Sequence, residues 1–164
     1  IAAAAAGRRL PAILPAPGGG PAVPSPLQAS ISHKRRLAVA LVAPGGPPVG
    51  IDLEELDPPR PAIASRVLRA EELAAVDALP PPARWQAVVS RFAVKEAIYK
   101  ALHPHVRRYV AFSEASVSLE PPAATLQLAQ GEGPFAVEVE LRTRERFVLA
   151  AARIALRSGA SVLK

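Results

Sequence analysis

Arg91-Phe92-Ala93-Val94-Lys95-Glu96-Ala97-Ile98-Tyr99-Lys100 closes the longest helical segment of the sequence, which runs from about Arg84 to Leu102 and ends near Pro104. At 100° per residue, Trp85, Val88, Val89, Phe92 and Tyr99 gather on one stripe, and Glu96 falls inside it. A glutamate on a core-facing stripe is costly unless it is paired, neutralised or bound to a metal. Lys100 follows four residues on and shares its face. Spacing alone leaves both an ordinary helix ion pair and a functional pair open. Val94 and Ile98 mark a second side of the helix that is also suited to burial.

Upstream, Val49-Gly50-Ile51-Asp52-Leu53-Glu54 reads as a strand. It follows a shorter apolar strand, Leu37 to Val42, across the connection Pro44-Gly45-Gly46-Pro47-Pro48. Asp52 and Glu54, two apart, project from one face, while Val49, Ile51 and Leu53 point to a core. Two carboxylates forced together repel unless a cation sits between them. Oxygen ligands with no cysteine or nearby histidine suit a hard ion, Mg²⁺ or Mn²⁺. Taken alone, an acidic pair at a strand end is more often plain surface. Ser32 and His33 precede Lys34-Arg35-Arg36, so a hydroxyl, an imidazole and three cations form a candidate phosphate grip. His103 and His105 are placed to cap the end of the long helix and are given no catalytic role.

Residues 1–28 are rich in Ala, Pro and Gly and read as loop. A short helix is expected over 61–68, and another over Glu71 to Leu79, stopped by Pro80-Pro81-Pro82. Strands follow at Ala124 to Leu128, Phe135 to Leu141 and Phe147 to Ile154, the last two forming a hairpin about Arg142-Thr143-Arg144-Glu145. Strands, then helices, then strands predict an α+β fold.

The chain has 164 residues, half of them apolar, enough for one domain or two small halves sharing a core. No apolar run is long enough to span a membrane. The absence of cysteine excludes disulfides and thiolate metal sites, and a cytoplasmic protein is expected. Residues 1–50 carry five basic and no acidic residues, Arg8 and Arg9 among them, which suits a polyanionic ligand. The sequence opens at Ile1 and holds no methionine, so a natural start is expected upstream.

Three ordered blocks carry a resemblance. Ser30-Ile31-Ser32-His33, Val49-Gly50-Ile51-Asp52-Leu53-Glu54 and Arg91 to Lys100 closely resemble the 4'-phosphopantetheinyl transferase superfamily. The best match is its monomeric branch of enterobactin and surfactin synthetase activators. Arg108-Tyr109-Val110-Ala111-Phe112 and the 135–154 hairpin are similar to that branch too. Ala93 stands where the branch often has serine, and most of the family's N-terminal half is missing. The resemblance implies a pseudo-twofold α+β fold of antiparallel sheet and packed helices, with its first half incomplete. Residues 1–46 would be the remnant of that half, 47–157 the half with the metal site, and 158–164 a tail. It implies transfer of the phosphopantetheine arm of coenzyme A to a serine of an acyl or peptidyl carrier protein, with release of adenosine 3',5'-bisphosphate. By position, Asp52, Glu54 and Glu96 would hold Mg²⁺, Glu96 would take the serine proton, and Lys100 would steady the pyrophosphate charge. Ser32 and His33 would hold the 3'-phosphate, with Lys95 aiding phosphate binding. The expected partners are coenzyme A and a carrier protein, with no nucleic acid and no membrane, for a monomer.

Two competing readings are a basic nucleic-acid-binding module and an inactive fragment of the same family. The isoelectric point near 10.5 favours the first. Only seven aromatics exist to stack on bases, however, and the basic excess lies in a proline-rich stretch.

Overall fold

The computed structural model describes residues 13–16 and 19–157. Arg8, Arg9 and the expected tail lie outside the described residues.

Two hairpins and a three-stranded sheet surround one long helix. The element order begins with β1 (Leu27–Lys34), β2 (Leu37–Pro44) and β3 (Val49–Glu55). After a 3-10 turn come α1 (Ala64–Val67), α2 (Ala70–Asp77) and α3 (Pro81–Leu102). The chain ends with β4 (Ala115–Leu119), β5 (Pro122–Leu126), β6 (Phe135–Arg144) and β7 (Phe147–Leu156). All sheets are antiparallel: β1 with β2, β4 with β5, and β3-β7-β6. The expected α+β class is what the chain adopts. Among the described residues no helix is long and apolar enough to cross a membrane.

The prolines expected to stop a helix also start one. Pro81 and Pro82 occupy the first positions of α3, where a missing N–H leaves nothing unpaired. The helix then packs on β3 and β7. Its most buried line is Ala93, Ala97 and Ala101, each fully shielded from solvent, with Val94, Ile98 and Leu102 beside it. Trp85, Phe92 and Tyr99 are only partly buried. The aromatic stripe read as core-facing is therefore a flank, because the small residues admit the sheet backbone more closely than rings could. Gly50 completes that contact: a Cβ there would lie 1.9 Å from the Ala97 carbonyl oxygen. A second cluster, Val67, Leu68, Val76, Ala87 and Val88, fixes the short helices to the other side of α3.

Two strands escaped the sequence pattern, β1 and β4. The strand expected at Ala124 to Leu128 runs Pro122–Leu126 and pairs with β4. The β6–β7 hairpin is longer than expected, turning at Glu145, which adopts φ 51°.

Candidate functional site

Strand β3 and helix α3 supply the carboxylates, and hairpin β1–β2 supplies their partners. Asp52 is 4 % exposed. Its Oδ1 accepts hydrogen bonds from Lys100 Nζ at 2.7 Å and Ser32 Oγ at 3.0 Å. Its Oδ2 is buried and has no hydrogen-bond partner among the described residues. A buried carboxylate oxygen left without a donor is costly, and a cation is the natural remedy.

Lys100 Nζ donates a second bond to the Ile51 carbonyl at 2.9 Å and reaches the Ile31 carbonyl only at 3.5 Å. Among the described residues no ion pair joins Lys100 to Glu96. The helix-pair reading of that spacing therefore gives way to a cross-element bridge that ties α3 to β3. Glu54 Oε1 accepts from Lys34 Nζ at 2.7 Å. Burial nevertheless pushes the Glu54 carboxyl above its ordinary value, with the Asp52 charge adding and Lys34 and Lys100 opposing. The Glu96 carboxyl is half-buried and raised as well, first by burial, then by Asp52 and Glu54, against Lys100 and Lys34. The three acids thus share one field, although they come from two elements.

As placed, no three Asp, Glu or His side chains among the described residues are gathered closely enough to hold a metal ion. Lys34 and Lys100 bridge two of the carboxylates instead. The donor set still fits a hard dication: oxygen only, one buried free oxygen, and two acids whose ionisation is opposed first by burial and then by the Asp52 charge.

The remaining expected residues separate. Ser32 is buried, and its Oγ also accepts the Leu53 N–H at 3.1 Å. His33 is exposed on the opposite face of β1. Lys95 is not on a phosphate wall. It is 2 % exposed, and its ammonium donates to Glu72 Oε2 at 2.6 Å, the Val67 carbonyl at 2.9 Å and the Phe112 carbonyl at 3.0 Å. With all three protons spent inside the protein, it has none for a phosphate.

Two cavities flank the acids. The larger, about 1050 Å³, runs along α3 past Glu96, Tyr99, Lys100, His103 and Arg107, with Ile31 of β1 facing them. The smaller, about 420 Å³, holds Lys34 and Glu54 at its edge and Trp85, Phe92 and Phe112 among its walls. Sequence reading missed the aromatic walls as a lining, having placed Trp85 and Phe92 in the core. It missed Arg107 because nothing local distinguishes that residue from Arg108, which is tied instead to Glu114 and Glu132.

The model of the 4'-phosphopantetheinyl transferase superfamily matches residues 48–152. No curated protein matches the chain by sequence. Among solved structures, the holo-(acyl-carrier-protein) synthase of Thermotoga maritima is 26% identical with a TM-score of 0.57, over 68% of this chain and 65% of that one. The match thus spans slightly less than two thirds of that protein. The synthase of Bacillus anthracis str. Ames, solved in complex with CoA (3',5'-ADP), is 22% identical with a TM-score of 0.54, over 65% of this chain and 93% of that one. That of Helicobacter pylori, in complex with coenzyme A, is 17% identical with a TM-score of 0.51, over 65% and 99%. These last two likenesses concern the fold.

Proposed function

This chain belongs to the 4'-phosphopantetheinyl transferase superfamily, and from that premise we propose that it moves the 4'-phosphopantetheine arm of coenzyme A onto a serine of an acyl or peptidyl carrier protein. The observation that carries the reading is the free, buried Oδ2 of Asp52, with Glu96 and Lys100 lining the larger cavity on one side and Glu54 the smaller on the other.

The nucleotide half of the coenzyme lies in the larger cavity, whose lining includes Lys100, His103 and Arg107. His33 stands two residues beyond Ile31 on the face of β1 that borders this cavity, and contacts the 3'-phosphate. The scissile pyrophosphate sits at the acids, so the pantetheine arm leaves on the Glu54 side, along Trp85 and Phe92. Asp52, Glu54 and Glu96 would close on a divalent cation and hold it between them, Mg²⁺ by preference and Mn²⁺ as a substitute. When bound, the ion supplies Lewis-acid neutralisation of the pyrophosphate oxygens.

Glu96 accepts the proton of the attacking carrier serine. Its carboxyl is already held above the ordinary glutamate value, first by burial, which strengthens it as a proton acceptor. Lys100 Nζ spends two protons on Asp52 and Ile51 and holds the third only loosely toward Ile31. That third proton is available to a pyrophosphate oxygen as charge develops there. The leaving group is adenosine 3',5'-bisphosphate.

We place the chain with the monomeric two-half branch, residues 1–46 being the remainder of the first half and 47–157 the second. Its carriers are those of fatty-acid, polyketide or nonribosomal-peptide assembly in the cytoplasm.

Incubation of the full-length protein with apo-carrier, coenzyme A and Mg²⁺, read by intact mass, tests the activity. The expected result is a gain of one phosphopantetheine group on the carrier, abolished by Asp52→Ala. No gain with the unaltered protein would end the proposal.

A further inference from the structure

Hairpin β1–β2 and strand β3 belong to separate sheets, so no ladder of backbone bonds joins them. The contact is made by side chains. Ser30 Oγ accepts the Ile51 N–H at 3.0 Å, and Ser32 Oγ accepts the Leu53 N–H at 3.1 Å. The two serines are two residues apart, as are the two N–H groups, so the hydroxyl oxygens stand where the carbonyls of a paired strand would be. Here the two serines diverge. Ser32 alone spends its proton on Asp52 Oδ1.

We infer that Ser32 is the positioning residue for Asp52, rather than a contact for the 3'-phosphate. This inference rests on the proposed divalent-cation site. With Lys100 and Ser32 both donating to Oδ1, the plane of the carboxylate is fixed and Oδ2 is left free in a buried setting. A serine hydroxyl has one proton to give. A phosphate accepts and does not donate at neutral pH, so Ser32 could serve it only by releasing Asp52. Outer partners that orient a metal-binding carboxylate typically alter metal affinity or activity by about 10–100-fold.

The test is Mn²⁺ binding to the full-length protein without coenzyme, followed by the paramagnetic signal of the free ion. Ser30→Ala is the internal control, because it loses the same kind of strand contact but touches no carboxylate. Ser32→Ala is expected to weaken Mn²⁺ binding by about 10-fold or more. Ser32→Thr, which keeps the hydroxyl, restores it, and Ser30→Ala leaves it unchanged while lowering the melting temperature about as much as Ser32→Ala does. In turnover, Ser32→Ala lowers kcat and raises the Mg²⁺ requirement with the KM for coenzyme A unaltered. Should Ser32→Ala fail to fold, Ser32→Cys preserves the shape with a weaker donor and carries the same expectation. Equal Mn²⁺ affinity in Ser30→Ala, Ser32→Ala and the parent overturns the inference while leaving the metal site standing. So does a rise in KM for coenzyme A that vanishes with the 3'-dephospho coenzyme. If the parent itself binds no Mn²⁺, the metal site fails first, and the inference falls with it.

Discussion

Replacing Gly50 with alanine tests the contact on which the site depends. The added Cβ would meet the Ala97 carbonyl oxygen at 1.9 Å, and the Ala101 nitrogen and Ala97 carbonyl carbon at 2.9 Å each. All three obstacles are backbone, and the facing side chains are already alanines, so no rotamer change can make room. Restoring a normal separation of about 3.5 Å needs α3 and β3 to part locally by roughly 1.6 Å. Overpacking of this kind costs about 1–3 kcal/mol, and rigid obstacles place it near the upper end. In a chain of this size that lowers the melting temperature by about 5–10 °C. The effect on chemistry is larger, because β3 carries Asp52 and Glu54 while α3 carries Glu96 and Lys100. A misplacement of about 1 Å between such groups costs on the order of 100-fold in rate. Thermal denaturation and single-turnover transfer, measured on Gly50→Ala, give the two numbers. A variant that melts within a degree of the parent and turns over at its rate would refute the close approach of α3 to β3.

Three further outcomes are expected. Because burial and the charges of Asp52 and Glu54 raise the Glu96 carboxyl above its ordinary 4.5, its ionisation opposes folding. That penalty is absent below pH 4.5, grows as pH rises toward the raised value, and is complete above it. Metal-free Glu96→Gln should therefore melt higher than the parent at pH 7 and no higher at pH 4, while losing transfer; a lower melting point at pH 7 would contradict the shift. Lys95→Ala strands Glu72, whose side chain is 2 % exposed, and should destabilise the fold by about 3–5 kcal/mol in urea titration. Lys95→Met paired with Glu72→Leu removes both charges and should keep the parental KM for coenzyme A, an outcome incompatible with a phosphate role for Lys95. Trp85 is the only tryptophan of the chain and lines the smaller cavity, so coenzyme A should change its emission whereas adenosine 3',5'-bisphosphate, which lacks the arm, should not. Equal responses to both ligands would place the arm elsewhere.

The strand and helix that carry the acids were legible because their apolar periods agree with their environments. Val49, Ile51 and Leu53 are buried in β3, and Val94, Ile98 and Leu102 are buried in α3. β1 was not legible, because its polarity is inverted. Its inward positions are Ser30 and Ser32, while Ile31 and His33 face outward, so a hydrophobic pattern has nothing to find. The same inversion disguised Ser32, whose partners Asp52 and Leu53 lie about twenty residues away in sequence. Lys95 and Glu96 are neighbours in a motif but 100° apart on the helix, so one enters the interior and the other the cleft. The partner that explains Lys95 is Glu72, 23 residues earlier and within a different helix. Reading adjacent motif residues as one functional unit fails there for a geometric reason.

That partition of α3 bears on how such a protein can change its substrates. Twelve of the helix's 22 residues are buried, and Glu96, Tyr99 and Lys100 face the larger cavity. Few positions remain that can vary without touching either the packing or the chemistry. The opposite wall is freer. It is built from Ile13, Leu14, Val23 and Ile31, side chains that hold no hydrogen bonds and, at Ile13, Leu14 and Ile31, stand largely in solvent. Selection for a new coenzyme or a new carrier would therefore draw its variants from that outer wall, leaving the helix as the inherited part and the segment ahead of β1, with Ile31, as the adaptable one.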